Sequence, residues 1–183
     1  MSLPPRPDHA EPAQPRPPKV RPGPRFLLAP PAHLIALGFG AGLSPVAPGT
    51  AGTLWAWAAY LVLAHYLDTA QIGWLILGAS AVGWWACTVT ARHLQTQDPS
   101  PVVWDEVVAF WLVLWLVMPA GLGAQFAAFV LFRIFDAVKA GPVGWADNLW
   151  HGYGPKAGFG ILFDDFVAAF CTLLVIALWR FLT

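Results

Sequence analysis

Long apolar segments alternate with short polar ones along most of the chain, and this pattern predicts helices. Residues 72–91 form a run of twenty residues without a charge, which is long enough to cross a bilayer at 1.5 Å per residue. Residues 53–67 and 161–181 are two further apolar segments of helical length. The period-two alternation typical of strands is nowhere stronger than the helical pattern. The sequence therefore predicts an all-α fold.

A second long apolar stretch is divided by a turn signal. Between Glu106 and Arg133 lie 26 uncharged residues, interrupted by the segment Pro119-Ala-Gly-Leu-Gly123. Proline and glycine so close together are typical of a turn. We therefore predict two helices, over residues 102–118 and 122–138, that fold back on each other as a hairpin.

The hairpin predicts that acids far apart in sequence meet in space. Asp105 lies 16 residues before Gly121, at the centre of the turn, and Asp136 lies 15 residues after it. Antiparallel helices of equal rise bring such residues to the same depth.

Residues 38–52 are too rich in glycine and proline for a helix that faces lipid. Irregular backbone at membrane depth persists only against protein or water. We therefore expect a loop or re-entrant segment beside the functional site, with a short helix near residues 31–37 before it. Thr50 or Thr53 is expected to cap the helix that follows.

The N-terminal segment differs in composition from the rest of the chain. Residues 1–25 contain nine of the 18 prolines and five cations against only Asp8 and Glu11. Such a segment buries too little apolar surface to order itself. We expect a disordered tail over residues 1–30, followed by one helical membrane domain over residues 31–183. An excess of positive charge is typical of the cytoplasmic side.

Composition supports a membrane protein. Hydrophobic residues make up 57% of the chain and charged residues 11%, against roughly 25% charged in a typical globular protein. Mean hydropathy is +0.58. Net charge is zero, and no basic stripe indicates nucleic acid as a partner. Cys87 and Cys171 lie in apolar runs without metal-ligand spacing. We expect a bundle of about five apolar helices with four or five transmembrane spans.

The predicted spans alternate in direction, starting from a cytoplasmic N-terminal tail. This alternation places the acidic residues at the helix ends on the cytoplasmic side of the membrane. Six of the ten acidic residues fall between residues 105 and 165. Acidic residues at the start of a helix often have no role beyond a favourable interaction with the helix dipole. Two adjacent pairs in so charge-poor a chain instead favour a functional site. The candidate metal-binding and catalytic residues are Asp105, Glu106, Asp136, Asp164 and Asp165.

Crowded carboxylates repel one another and require a cation among them. Mg²⁺ is a hard ion that prefers oxygen ligands, and protein carboxylates commonly bind it together with a substrate phosphate. Arg133, Asp136 and Lys139 recur every third residue. The two cations are typical phosphate ligands, although cations near a helix end can also simply reach for water. His93 and His151 lie in predicted linkers, and a plain loop role is the simpler interpretation. The residues favour metal-assisted phosphoryl hydrolysis.

Four segments, in this order, resemble the bacterial phosphatidylglycerophosphatase A family. They are Gly38–Thr53, Val103-Trp-Asp-Glu106, Phe132-Arg-Ile-Phe-Asp-Ala-Val-Lys139 and Gly160–Ala168, which contains the Asp164-Asp165 pair. The resemblance implies an all-α bundle and a Mg²⁺-dependent phosphatase of the inner membrane. It also implies phosphatidylglycerophosphate as the substrate and phosphatidylglycerol as the product. Arg133 and Lys139 are then expected to contact phosphate, and we add Thr50 and Thr53 as candidates.

Two alternatives stay open from the residues alone. A membrane transporter of cations or protons would use the same acids, but would spread them along a path through the bilayer. A soluble or peripheral bundle would use the shorter apolar helices as core helices. The sequence indicates a lipid bilayer as a partner and leaves the oligomeric state open.

Overall fold

The computed structural model describes residues 22–96, 99–139, 141–149 and 154–182, and all regular structure within them is helical. This confirms the all-α prediction. Most of the predicted tail, residues 1–21, lies outside this part of the chain. The helices are α1 (Pro24–Leu27), α2 (Pro31–Ala36), α3 (Pro48–Tyr66), α4 (Thr69–Leu94), α5 (Trp104–Val117), α6 (Leu122–Val138), α7 (Pro142–Asp147) and α8 (Pro155–Leu182), with a 3₁₀ segment over Gly38–Leu43.

Helix α5 is the centre of the bundle. It contacts α3, α4, α6 and α8, and the consecutive residues Val107, Val108 and Ala109, which point to different sides of it, are all fully buried. A helix that is apolar on all sides is stable only when other helices surround it. The composition of α5 therefore explains its central place.

The five long helices run in alternating directions, so that one end of the bundle gathers the starts of α3 and α5 and the end of α6. At this end, Gly49 of α3 approaches Glu106 of α5, and Arg133 of α6 pairs with the same glutamate. At the opposite end, the indole of Trp115 donates to the Thr69 carbonyl. Arg180 donates there to the Val117 carbonyl.

The outer surface of the bundle is apolar. Large exposed side chains include Trp74, Leu77 and Trp85 on α4, and Leu178 and Phe181 on α8. Apolar area on this scale marks an interaction surface. By length and composition, two of the described helical segments could cross a bilayer, Thr69–Leu94 and Gly158–Leu182. The prediction of four or five spans remains a prediction.

A histidine pair fastens α2 to the end of α4. The His33 ring is buried and stacks on Phe26 at 3.8 Å between centroids. Its Nδ1 lies 2.8 Å from the Phe26 carbonyl and its Nε2 lies 2.8 Å from Nδ1 of His93. Burial lowers the pKa of His33, so the neutral ring donates to the carbonyl and accepts from His93. His93 therefore belongs to α4 and its packing, not to a linker.

Helix α3 begins five residues before the predicted start at residue 53. Pro48 occupies its first position, which proline favours because its missing N–H needs no partner there. The N-cap residue is Ala47, so neither Thr50 nor Thr53 caps the helix as we had expected. Part of the glycine-rich stretch is helical because Gly52 packs directly against Val103.

Helix α8 also begins earlier than its apolar run indicated, at Pro155 instead of residue 161. The reason is again a glycine at a helix contact. A Cβ on Gly158 would lie 1.8 Å from Oγ1 of Thr88, so only glycine permits α8 to approach α4 this closely. Glycines that resemble a loop in the sequence serve packing between helices.

Candidate metal and phosphate site

Three carboxylates converge at the end of the bundle where α5 begins. One oxygen from each of Asp105, Glu106 and Asp165 lies within 4.8 Å of the other two. Asp105 and Asp165 are buried, and the Glu106 side chain is only 12% exposed. Residues from two helices thus place three hard oxygen ligands around one point, in surroundings that largely exclude water.

The second acidic pair does not lie at a helix terminus. Pro155 precedes Asp164 by nine residues, so Asp164 and Asp165 occupy the third turn of α8. The helix dipole acts mainly within the first turn. Helix capping can therefore explain the Asp105–Glu106 pair but not the Asp164–Asp165 pair. Burial of the Asp165 carboxylate inside the bundle costs free energy, and another interaction must offset that cost.

Asp136 and Arg133 extend the site from the last turns of α6. The Arg133 guanidinium hydrogen-bonds the Asp136 carboxylate and lies 3.7 Å from Oε1 of Glu106. Asp136 is buried and close enough to Asp165 to repel it. Thr53 supports this arrangement from α3, since its hydroxyl donates to the Gly49 carbonyl and lies 3.5 Å from Nη1 of Arg133.

The first turn of α3 lies directly against the acids. A Cβ on Gly49 would be 2.2 Å from Oε1 of Glu106 and 3.0 Å from Nη2 of Arg133. Thr50 follows in the same turn and is half-buried. The first hydrogen bond within the helix joins the Ala51 N–H to the Ala47 carbonyl, so the N–H groups of Gly49 and Thr50 precede it. Such a terminus attracts anions.

Lys139 lies at the rim of the site, just after α6. Its Nζ is 2.8 Å from Oδ2 of Asp164 and 2.5 Å from Oδ1 of Asp147. Asp147 was not among the predicted site residues because it falls in a polar, glycine-rich segment without a helical pattern. Its only signal in the sequence was its membership in the group of six acids between residues 105 and 165.

The donor set fits a metal ion. Buried oxygens of Glu106 (Oε2) and Asp165 (Oδ2) have no hydrogen-bond partner, and an unsatisfied buried carboxylate oxygen is costly. The negative charge of Asp136 also repels the carboxylates of Glu106 and Asp165. A divalent cation would satisfy the oxygens and offset the repulsion. The described residues could therefore hold a metal, and carboxylate ligands favour a hard one.

The structure thus brings eight of the nine predicted site residues together. Asp105, Glu106 and Asp165 form the centre of the site, and each cation pairs with an acid of the set. Thr53 contacts Arg133, and Thr50 lies in the neighbouring turn of α3. His151 lies outside the described residues.

Comparison with known proteins gives one family. The sequence model of the family described as Phosphatidylglycerophosphatase A matches residues 34–180. The protein named Phosphatidylglycerophosphatase A from Escherichia coli (strain K12) is 37% identical, over 79% of this chain and 80% of its own length. Its namesake from Haemophilus influenzae is 33% identical, over 80% of this chain and 86% of its own length.

A third relative carries a different name. A protein of Bacteroides thetaiotaomicron, provisionally named as a phosphatidylinositol-3-phosphatase, is 38% identical over 80% of this chain and 92% of its own length. No solved structure matches the chain.

Proposed function

Because the chain belongs to the phosphatidylglycerophosphatase A family, we propose that it removes the terminal phosphate of phosphatidylglycerophosphate and leaves phosphatidylglycerol. The resemblance inferred from four sequence segments is confirmed by the family match, as is the prediction of a phosphatase. The structural observation that supports this activity is that the carboxylates of Asp105, Glu106 and Asp165 lie close together in the interior of the bundle.

The converging acids are the proposed ligands of the metal. Asp105, Glu106 and Asp165 would hold Mg²⁺, with Asp136 close behind them. When bound, the ion polarises the phosphoryl group and neutralises charge that develops during hydrolysis. The preference for Mg²⁺ is supported by the all-oxygen donor set, since zinc and iron sites more often include nitrogen or sulfur.

Phosphate recognition falls to the cationic side of the site. Arg133 offers further N–H groups beside the acids, and the first turn of α3 offers backbone N–H groups and the Thr50 hydroxyl. In the reaction, a water oxygen attacks phosphorus as the bond from phosphorus to the glycerol oxygen breaks. One carboxylate of the site takes the proton of the water, and the leaving oxygen gains a proton. Catalysis of this kind rests mainly on positioning and electrostatics.

We place the bundle in the bacterial inner membrane as a multi-pass protein with its site facing the cytoplasm. The exposed apolar side chains of α4 and α8 support contact with lipid. The basic excess within residues 1–25 supports a cytoplasmic N-terminus. Alternating helix directions then bring the acidic end to the cytoplasmic side, where the headgroup of a lipid substrate lies.

The transporter alternative receives no support. Among the described residues, all acids except Asp68 lie in the network around the acidic cluster. The middle of α4 and the opposite half of α5 carry no ionisable group. A transport path would need such groups spaced through the bilayer.

The decisive experiment measures phosphate release by the purified protein in detergent–lipid micelles. Substrates would be phosphatidylglycerophosphate, phosphatidic acid, phosphatidylinositol 3-phosphate and soluble glycerol phosphate, each with Mg²⁺ or with a chelator. We expect the first substrate to be hydrolysed fastest, and only with Mg²⁺. The variant Asp165→Asn, purified in the same way, controls for contaminating phosphatases.

Two results would contradict the proposal. Equal rates with chelator and with Mg²⁺ would remove the metal from the reaction. Faster hydrolysis of phosphatidylinositol 3-phosphate than of phosphatidylglycerophosphate would keep the phosphatase but replace the substrate.

A further inference from the structure

Lys139 is held between two carboxylates that belong to different environments. Asp164, on one side, is 8% exposed and directed into the bundle, whereas Asp147, on the other, is 36% exposed. Lys139 itself is 31% exposed. The ammonium group therefore lies at the boundary between the acidic cluster and the surroundings from which a substrate arrives.

The position of Asp147 is set by the packing of α7. Val143 and Ala146 on this helix are fully buried. Gly144 lies so close to the end of α6 that a Cβ would be 2.2 Å from the Lys139 carbonyl. The Asn148 amide closes the helix by donating to the Gly144 carbonyl at 2.6 Å. Helix α7 is thus anchored against the same residue whose side chain Asp147 contacts.

We propose that Asp147 is a positioning residue, which holds the Lys139 ammonium at the rim of the site so that it meets the phosphate of the substrate. This inference rests on the proposed function. Without Asp147, the remaining attraction directs Lys139 toward Asp164 and the acidic cluster, away from the rim. An ammonium group has three donors in rotatable directions, and two carboxylates in place fix its orientation where one does not.

The arrangement predicts that kcat falls without a rise in KM. Asp147 carries a negative charge near the place where an anionic substrate binds, so its removal does not weaken binding by electrostatics. Its removal lets the Lys139 ammonium shift toward Asp164, away from the substrate phosphate, so the rate of the chemical step falls. We expect Asp147→Asn to lower kcat about tenfold while KM stays the same or falls. Asp147→Glu, which restores the charge, should recover most of the lost kcat.

A direct test follows the reactivity of Lys139. The chain has three lysines, Lys19, Lys139 and Lys156, and Lys156 is exposed. The full-length protein in micelles is treated with an amine-acylating reagent, and labelling of each lysine is followed by mass spectrometry. In Asp147→Asn the ammonium moves away from the rim toward the buried Asp164 carboxylate, so the labelling rate of Lys139 should fall about fivefold. Lys156 serves as the internal reference and should not change.

The variant Asn148→Ala controls for damage to α7, because it removes the 2.6 Å hydrogen bond to Gly144 but leaves both carboxylates. We expect it to leave kcat and Lys139 labelling close to those of the parent. Equal effects of Asn148→Ala and Asp147→Asn, or unchanged Lys139 labelling in Asp147→Asn, would overturn the positioning role. A fivefold fall in labelling without any phosphate release by the parent protein would overturn the proposed function instead.

Discussion

The first turn of α5 and the third turn of α8 each present two adjacent acids to the same site, under different electrostatic conditions. Asp105 and Glu106 lie where the dipole of α5 favours negative charge. Asp164 and Asp165 lie inside α8, where no terminus compensates them. The α5 pair is stabilised by its helix, and the α8 pair depends on partners from elsewhere in the protein.

The two acids of the α8 pair have different partners. Neighbouring residues on a helix are rotated by about 100° from each other. Asp165 therefore joins the three-carboxylate centre, whereas Asp164 reaches Lys139 at the rim. On α5, by contrast, both acids of the pair belong to the centre. The α5 pair thus serves one purpose and the α8 pair serves two.

The largest expected effect separates the centre from the rest of the site. Asp165→Asn should lower kcat by at least about 10³-fold, because it removes a proposed metal ligand that Asp164, directed toward Lys139, does not replace. If Mg²⁺ binds the folded state as proposed, it should raise the melting temperature of the parent protein, and this rise should vanish in the variant. Phosphate release and thermal unfolding with and without Mg²⁺ measure both effects.

Asp68→Asn is the matched control, since Asp68 caps α4 far from the site and asparagine is an equally good cap. It should leave both the rate and the response to Mg²⁺ unchanged. Full activity in Asp165→Asn would contradict the assignment of this residue to the centre.

A second test disturbs the α5 pair together with its partner Arg133. Gly49→Ala introduces a methyl group 2.2 Å from Oε1 of Glu106, so the carboxylate must move. We expect kcat to fall about 100-fold, as expected when a catalytic geometry shifts by roughly 1 Å. Gly78→Ala on α4 is the control, because its Cβ would meet nothing within 4 Å. That variant should gain up to about 1 kcal/mol in unfolding free energy from helix propensity, with unchanged kcat.

A third test divides the α8 pair. Asp164→Asn leaves the centre intact and removes only the inner partner of Lys139, so we expect a loss in kcat of about tenfold, far below that of Asp165→Asn. Steady-state kinetics of the two variants side by side measure the difference. Equal losses would show that the pair acts as one unit and would remove the distinction drawn here.

The smallest effect concerns the helix dipole. In metal-free protein, Asp105→Asn and Asp165→Asn each relieve repulsion in the cluster and should raise the free energy of unfolding. Only Asp105→Asn also gives up a favourable interaction with the dipole of its helix. Asp165→Asn should therefore stabilise more, by about 0.3–1 kcal/mol. Denaturant unfolding in the presence of a chelator measures this, and the reverse order would contradict the role given to the dipole.

Much of the fold follows from the sequence because apolar helices are long and their turns are marked. The hairpin prediction placed Asp105 and Asp136 at one depth, and the structure has both in the same site. Helix starts were harder to predict. Glycine at residues 49, 52 and 158 lowers helix propensity in any sequence-based reading, and only the close approach of a second helix explains why it stands there.

The spacing of Arg133, Asp136 and Lys139 predicted one continuous helical face. Arg133 and Asp136 do pair along that face. Lys139 instead adopts a left-handed backbone conformation (φ 45°) after α6, which redirects its side chain toward Asp164 and Asp147. Asp147 lies on a helix of six residues, too short to leave a periodic pattern. Its position depends on tertiary packing, which the sequence does not display.

The length of α5 has a consequence for the membrane around the protein. At 14 residues, the central helix spans about 21 Å, whereas the hydrocarbon layer of a bilayer is about 30 Å thick. In the membrane placement proposed above, the acids at its start would lie below the headgroup plane of an unperturbed bilayer, unless the lipid layer thins locally around the bundle. The rate of phosphate release should accordingly depend on the acyl chain length of the host vesicles, with thinner bilayers presenting the substrate phosphate to the site more readily.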